Sequence, residues 1–209
     1  MLADADLDKT VKWAIWAKMN NTGQCCVAAK RFIIVEELHE SFLERFQTAL
    51  AAFQPGDPMD QATTLAPLST ESALVQLLAQ VKRAVANGAI VVLGGKRIDR
   101  PGSFMQPTIL TNIKRANPAF REEFFGPVAL FFRVKSEDEA VALQTIPISA
   151  WAVPSSLKMW RAANAWRAAL IPAWCSSITR RGRQRTCRSA ASGTPAMDAS
   201  FAVWAFRSS

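Results

Sequence analysis

The sequence predicts an α/β fold with a mainly parallel sheet, and three observations predict it. Short β-branched apolar runs alternate with longer stretches whose apolar residues recur every three or four positions. Glycine, proline and asparagine punctuate the joins. Half of the 209 residues are hydrophobic and a fifth are charged, the balance of a globular chain with a real core. Strands linked through helices need crossover connections, and crossovers place strands side by side in parallel.

Each element follows in order. Asp8 and Thr10 are helix-start residues ahead of Val11, Trp13, Ala14 and Trp16. The run RFIIV at 31–35 is apolar, β-branched and bounded by charge, the mark of a buried strand. Residues 37–52 set Leu38, Phe42, Leu43, Phe46 and Leu50 at helical spacing, and Gln54-Pro-Gly-Asp-Pro ends the pattern. Residues 71–87 repeat it with Leu74, Leu77, Leu78, Val81 and Val85, and Asn87-Gly88 is the stop. Residues 89–93 (AIVVL) form the next strand, and Gly94-Gly95 turns the chain. Residues 107–110 and 128–134 read as further strands. Ser136 caps a helix opening SEDEAVAL, with acids in the first turn where the helix dipole favours them. This order of strands and helices leaves the sheet topology open.

Charge divides the chain in two. Residues 1–143 carry 16 basic and 16 acidic side chains, whereas 144–209 carry nine basic residues and one acid, Asp198. The whole net charge of +8 therefore sits in the tail. Five of the seven tryptophans lie there too, and its apolar residues follow neither a helical nor a strand period. Residues 176–192 are basic without a hydrophobic face, which predicts irregular or disordered chain.

The cysteines are an adjacent pair, Cys25 and Cys26, and two scattered thiols, Cys175 and Cys187. That is neither a disulfide framework nor a metal-ligand spacing, so no metal is expected. A reducing cytoplasm is the expected compartment, since no signal sequence or membrane-spanning run is visible.

Two segments carry chemistry. Gln24-Cys25-Cys26 precedes a small-residue stretch that reads as helical and leads into the 31–35 strand. A thiol at a helix N-terminus meets unpaired N–H groups and the positive end of the dipole, which favour the thiolate. A neighbouring N–H is then available to an oxyanion. Gly23 permits the close backbone approach such a loop needs. The competing reading is a small buried hydrophobe, the commonest fate of a free cysteine. The second segment, 120–128, places an acidic pair and two aromatics before a Gly-Pro turn and a strand. Its competing reading is a plain loop beneath an aromatic lid. The lone His39, between Leu38 and Glu40, reads as a surface histidine, and Glu36, Glu37 and Glu122 as solvated faces or caps.

Together the two segments resemble the aldehyde dehydrogenase superfamily. NTGQCCVAAKRFIIVE at 21–36 is similar to its cysteine motif, and REEFFGPV at 121–128 to its EExFGP motif. ADADLDKTV near the start, GDP at 56–58, LGG at 93–95 and QPTIL at 106–110 extend the likeness across 1–143. Met19 departs from the motif's usual aromatic or aliphatic opening.

The resemblance implies that 1–143 is part of a catalytic domain. It implies Cys26 as the nucleophile, with Cys25 at a variable position. Glu123 is then the acid at the nicotinamide ribose, and Phe125 the aromatic beside the ring. It implies NAD or NADP as cofactor, a small aldehyde as substrate and a homo-oligomer in intact relatives. Cysteine attack on the aldehyde, hydride transfer and hydrolysis of the thioester are the implied chemistry. NNTGQCCVAAKRF is most similar to succinate-semialdehyde dehydrogenases. The family's base lies in a Glu-Leu-Gly-Gly segment, and its dinucleotide phosphates lie on a glycine-bearing turn; neither segment stands in these 209 residues. The chain by itself is therefore expected to be inactive.

The tail then has a specific explanation. Gln144 to Ala150 is encoded by CAA ACG ATT CCC ATT TCG GCT among other choices. One G placed in front gives Ala-Asn-Asp-Ser-His-Phe-Gly, which resembles the family sequence expected at that place. The same one-base shift carries to the end of the chain and yields LPFGGIRHSGYGREL, similar to a C-terminal family motif. Residues 144–209 are accordingly read as a frameshifted tail. The alternative is a nucleic-acid-binding module whose arginines meet phosphates and whose tryptophans stack on bases.

Overall fold

The computed structural model describes Met1 and residues 5–144. The first helix, α1 (Leu7–Met19), is capped by Asp6, whose carboxylate accepts the Lys9 N–H at 3.1 Å. Asp8 and Thr10, read as residues of the helix start, are among its first four residues, with Asp6 as the cap. Asp8 lies in the first turn and pairs with Arg45, and the Thr10 hydroxyl donates back to the Asp6 carbonyl at 2.6 Å. Asp6 wins the capping position because its short side chain reaches an unpaired N–H of the first turn.

Strand β1 (Arg31–Val35) runs straight into α2 (Glu36–Ala51). Helix α3 (Glu71–Ala86), capped by the Thr70 hydroxyl, leads through Asn87-Gly88 into β2 (Ile90–Leu93). Strands β3 (Thr108–Thr111) and β4 (Val128–Val134) follow, and α4 (Glu137–Gln144) is the last described element. Residues 145–209, nearly all of the tail assigned to a frameshift or to nucleic-acid binding, lie outside the described residues.

The sheet order is β1-β4-β3-β2. Central β4 is parallel to both β1 and β3, while β2 pairs antiparallel with β3 at one edge. The chain between β2 and β3 turns back through a loop and contains no helix.

Period-two alternation along β4 divides the core. Val128, Leu130 and Phe132 pack with Leu74, Leu77, Val81 and Ala84 of α3. Ala129 and Phe131 face the other way, onto Val11, Phe42, Phe46 and Leu50 of α1 and α2. Helices on both faces explain why β4 is a near-continuous apolar run. On the α2 side Phe32, Phe42, Phe46 and Phe131 form an aromatic cluster, with centroids from 4.9 Å (Phe32–Phe46) to 6.4 Å (Phe32–Phe42).

His39 belongs to this face, which corrects its reading as a surface residue. It is 7% exposed, edge-on to Phe131 at 6.4 Å, with Nδ1 3.1 Å from the Glu40 carboxylate. Position 39 lies three residues before Phe42 and seven before Phe46, so helical geometry puts it inward whatever its sequence neighbours are.

Candidate active site

The thiol pair is positioned by a strained turn. After α1 the chain makes a 3-10 turn over Asn20–Gly23, in which Asn21 (φ 50), Thr22 (φ 55) and Gly23 (φ 74) are all left-handed. Two consecutive non-glycine residues there are costly and persist only when their surroundings hold them. Several bonds hold them. The Thr22 hydroxyl donates to the Ala66 carbonyl at 3.2 Å, and Asn21 Nδ2 donates to the Gln24 carbonyl at 3.3 Å. Gln24 Oε1 accepts the Ser69 N–H at 2.8 Å while its Nε2 donates to the Pro67 carbonyl at 3.3 Å. The turn is thus pinned to the segment that leads into α3.

Cys26 is exposed and Cys25 half-buried, against the reading of either as an inert core thiol. The helix expected to start at the pair is absent. The chain makes one turn, closed by the Ala28 N–H on the Cys25 carbonyl at 3.1 Å, and proceeds to β1. The small residues serve packing instead, since Ala28 and Ala29 are buried and the Ala29 N–H donates to Ala17 of α1 at 3.0 Å. No helix begins at Cys26.

A lysine charge stands where the dipole was expected. Lys30 Nζ donates to the carbonyls of Cys25 at 2.8 Å and Gly23 at 3.0 Å. The same ammonium lies 3.7 Å from Glu123 Oε1 and 4.7 Å from the centroid of the Phe125 ring. Burial lowers the pKa of Lys30, and Glu123 and then the neighbouring Cys25 oppose that shift. Deeper still is Lys18, on the last turn of α1. It is wholly buried, with no hydrogen-bond partner for Nζ among the described residues. Burial holds its pKa well below 10.5, with Lys30 adding repulsion and Glu123 opposing. Sequence reasoning singled out neither lysine. The available signal was Lys30 itself, a long cation closing a run of small residues four positions after Cys26.

The 121–127 loop meets the cysteine turn at two glycines. A Cβ on Gly23 would lie 2.2 Å from the Gly126 carbonyl oxygen, and a Cβ on Gly126 would lie 2.4 Å from Leu77 Cδ2. At Gly23 the neighbour is backbone and φ is left-handed, so only glycine fits there. Within the loop Glu122 turns to α3, pairing with Arg83 at 3.1 Å and Gln80 at 3.3 Å, and Phe124 is fully buried. Glu123 and Phe125 face outward, Phe125 at 47% exposure. The structure therefore brings the segment bearing Cys26 beside Glu123 and Phe125, with Lys30 between them.

This arrangement offers an accessible thiol, an exposed carboxylate and an exposed aromatic face. A carboxylate accepts hydrogen bonds from ribose hydroxyls, and a ring left out of the core provides a flat apolar wall. Side by side, these groups can take a hydroxyl-bearing group on the carboxylate and a flat ring on the aromatic face.

The aldehyde dehydrogenase family pattern matches residues 1–145. The chain is 51% identical over 138 residues to a succinate-semialdehyde dehydrogenase [NADP(+)] of Deinococcus radiodurans, covering 66% of this chain and 29% of that protein. It is 44% identical over 156 residues to a probable succinate-semialdehyde dehydrogenase [NADP(+)] of Synechocystis, covering 72% of this chain and 34% of that one. The chain thus spans about a third of the length of these relatives. Among solved structures it resembles succinic semialdehyde dehydrogenase from Streptococcus pyogenes in complex with NADP+ (TM-score 0.73, 36% identity), covering 81% of this chain and 37% of that one. The enzyme from Burkholderia pseudomallei matches at TM-score 0.72 and 34% identity, over 81% of this chain and 35% of that one.

Proposed function

The chain belongs to the aldehyde dehydrogenase family, and on that premise we propose that it carries the nucleophile and nicotinamide-side residues of an NAD(P)-dependent oxidation of succinate semialdehyde. The observation that carries the reading is the exposed Cys26 on a turn that Lys30 joins to Glu123 and Phe125. The names of the relatives support succinate semialdehyde as substrate and NADP as the cofactor.

In this mechanism the Cys26 thiolate adds to the carbonyl carbon of the aldehyde and forms a thiohemiacetal. Lys30 neutralises charge below the turn and keeps it seated. Glu123 accepts the ribose hydroxyls, and Phe125 walls one side of the ring. The chemistry that a nicotinamide dinucleotide supplies when bound is acceptance of the hydride lost as the Cys26 adduct becomes a thioester, which water cleaves. We further propose that 1–143 is the part of the catalytic domain present, with 144–209 a frameshifted tail. Without a Glu-Leu-Gly-Gly base or a phosphate-cradling turn, these residues are expected to form the thiol adduct and not to turn over.

The test is alkylation by iodoacetamide at neutral pH, with peptide mapping, in the wild type and in Cys26→Ala. Label is expected chiefly at Cys26 and lost in the variant. Equal labelling of Cys25 and Cys26 would remove the special nucleophile. Steady formation of reduced NADP from succinate semialdehyde by the isolated chain would overturn the expectation of inactivity.

A further inference from the structure

We propose that Lys30 is a positioning residue for this site: it clasps the cysteine turn to the 121–127 loop and places a positive field at the thiol that draws anionic reactants. The proposal rests on Cys26 being the nucleophile. The clasp is visible in the bonding. One ammonium reaches two backbone carbonyls on the turn, at Gly23 and Cys25, and one carboxylate and one ring on the facing loop, at Glu123 and Phe125.

The field follows from the charges around it. Glu123, from the loop, is the anion that partly cancels Lys30. Lys18, from α1, is buried and unpartnered and lies close enough to Lys30 to repel it. Cys25 and Cys26 lie within the electrostatic reach of Lys30, and either thiolate favours its charged form. Lys30 keeps 14% of its side chain exposed, so solvent screens it only in part. A lysine held by four partners also keeps its charge in one place, which a free surface lysine does not.

The experiment compares iodoacetate with iodoacetamide at Cys26. These reagents deliver a carboxymethyl or a carboxamidomethyl group to the same sulfur, displace iodide, and differ by one negative charge. The ratio of their rates therefore reports the field at the thiol and is insensitive to changes that slow both equally. It is read in the full chain carrying Cys25→Ala, so that the mapped peptide reports one thiol.

Lys30→Met is expected to lower the iodoacetate-to-iodoacetamide ratio about threefold, the scale of one partly screened charge. Lys30→Arg is expected to hold the ratio. Glu123→Gln is expected to raise it, because the cancelling anion is gone. An unchanged ratio in Lys30→Met, or a lowered one in Glu123→Gln, overturns the proposal. Should Lys30→Met fail to fold, the sign in Glu123→Gln still decides. The ratio is measurable at any absolute rate. A wild-type Cys26 no faster than an ordinary thiol would therefore sink the nucleophile and leave the role of Lys30 to be judged on its own readout.

Discussion

At the residue scale, the costs are concentrated under the site. Lys18 occupies the core with no partner for its amine among the described residues, a placement that stability alone disfavours. Lys18→Met fills the same volume without the desolvated nitrogen and is expected to stabilise the fold by about 1–3 kcal/mol. The pH dependence has a definite sign. Burial holds the folded pKa below 10.5, so between those two values the unfolded chain binds the extra proton. Stability therefore rises with pH across that window and is lowest below the folded pKa. Urea midpoints near neutrality and about two pH units higher should rise in the wild type and stay flatter in Lys18→Met. Gly23 is the opposite case. Gly23→Ala meets the Gly126 carbonyl and a left-handed φ together, and is expected to cost on the order of 3 kcal/mol by urea denaturation.

At the element scale, α2 and β4 carry one face of the core through aromatic rings. Phe46 is fully buried and lies 4.9 Å from Phe32 and 5.1 Å from Phe131. Phe46→Ala should cost about 3–5 kcal/mol, seen as a lowered denaturation midpoint with an unchanged slope. On the other face of the sheet Arg31 stacks over Phe120 and Phe132, at 5.2 Å and 4.6 Å. Burial brings its pKa down to about 10, still charged at neutrality. Helix α4 has only eight residues and depends on its cap: the Ser136 hydroxyl accepts the Glu139 N–H at 3.2 Å, and the Glu139 carboxylate accepts the Lys135 N–H at 2.7 Å. Ser136→Ala is expected to cost about 1 kcal/mol and to speed amide exchange within 137–144 while leaving β4 protected.

At the scale of the whole molecule, the contacts that shape the cysteine turn among the described residues come from residues 17–126. The basic tail carries the net charge of +8. A chain ending at Leu143 is therefore expected to keep the alkylation rate of Cys26. A large fall would show that the tail supports the site. The family match covers residues 1–145, and the proposed break falls after Leu143. Sequencing the DNA across Leu143 and Gln144 is expected to show codons that one inserted base converts to family sequence, and codons that cannot be so converted would remove the explanation.

The sequence by itself determined the elements and the two motifs. Helical period placed α2 and α3 and short apolar β-branched runs placed β1 to β4, each to within a residue or two, because one-face burial imprints a period of 3.6 on a helix and two-face burial leaves a strand apolar along its length. The family resemblance singled out Cys26, Glu123 and Phe125, whose segments the fold brings together, and the loop pattern singled out Gly23 for close approach. Tertiary structure alone decided the rest. The antiparallel β2, the inward His39 and the turn in place of a helix at Cys26 depend on what lies opposite each residue, which no local pattern records. Lys30 and Lys18 went unseen for the same reason. A lysine in sequence reads as solvated, and only folding shows whether its ammonium ends in water, on a carboxylate, or in the core.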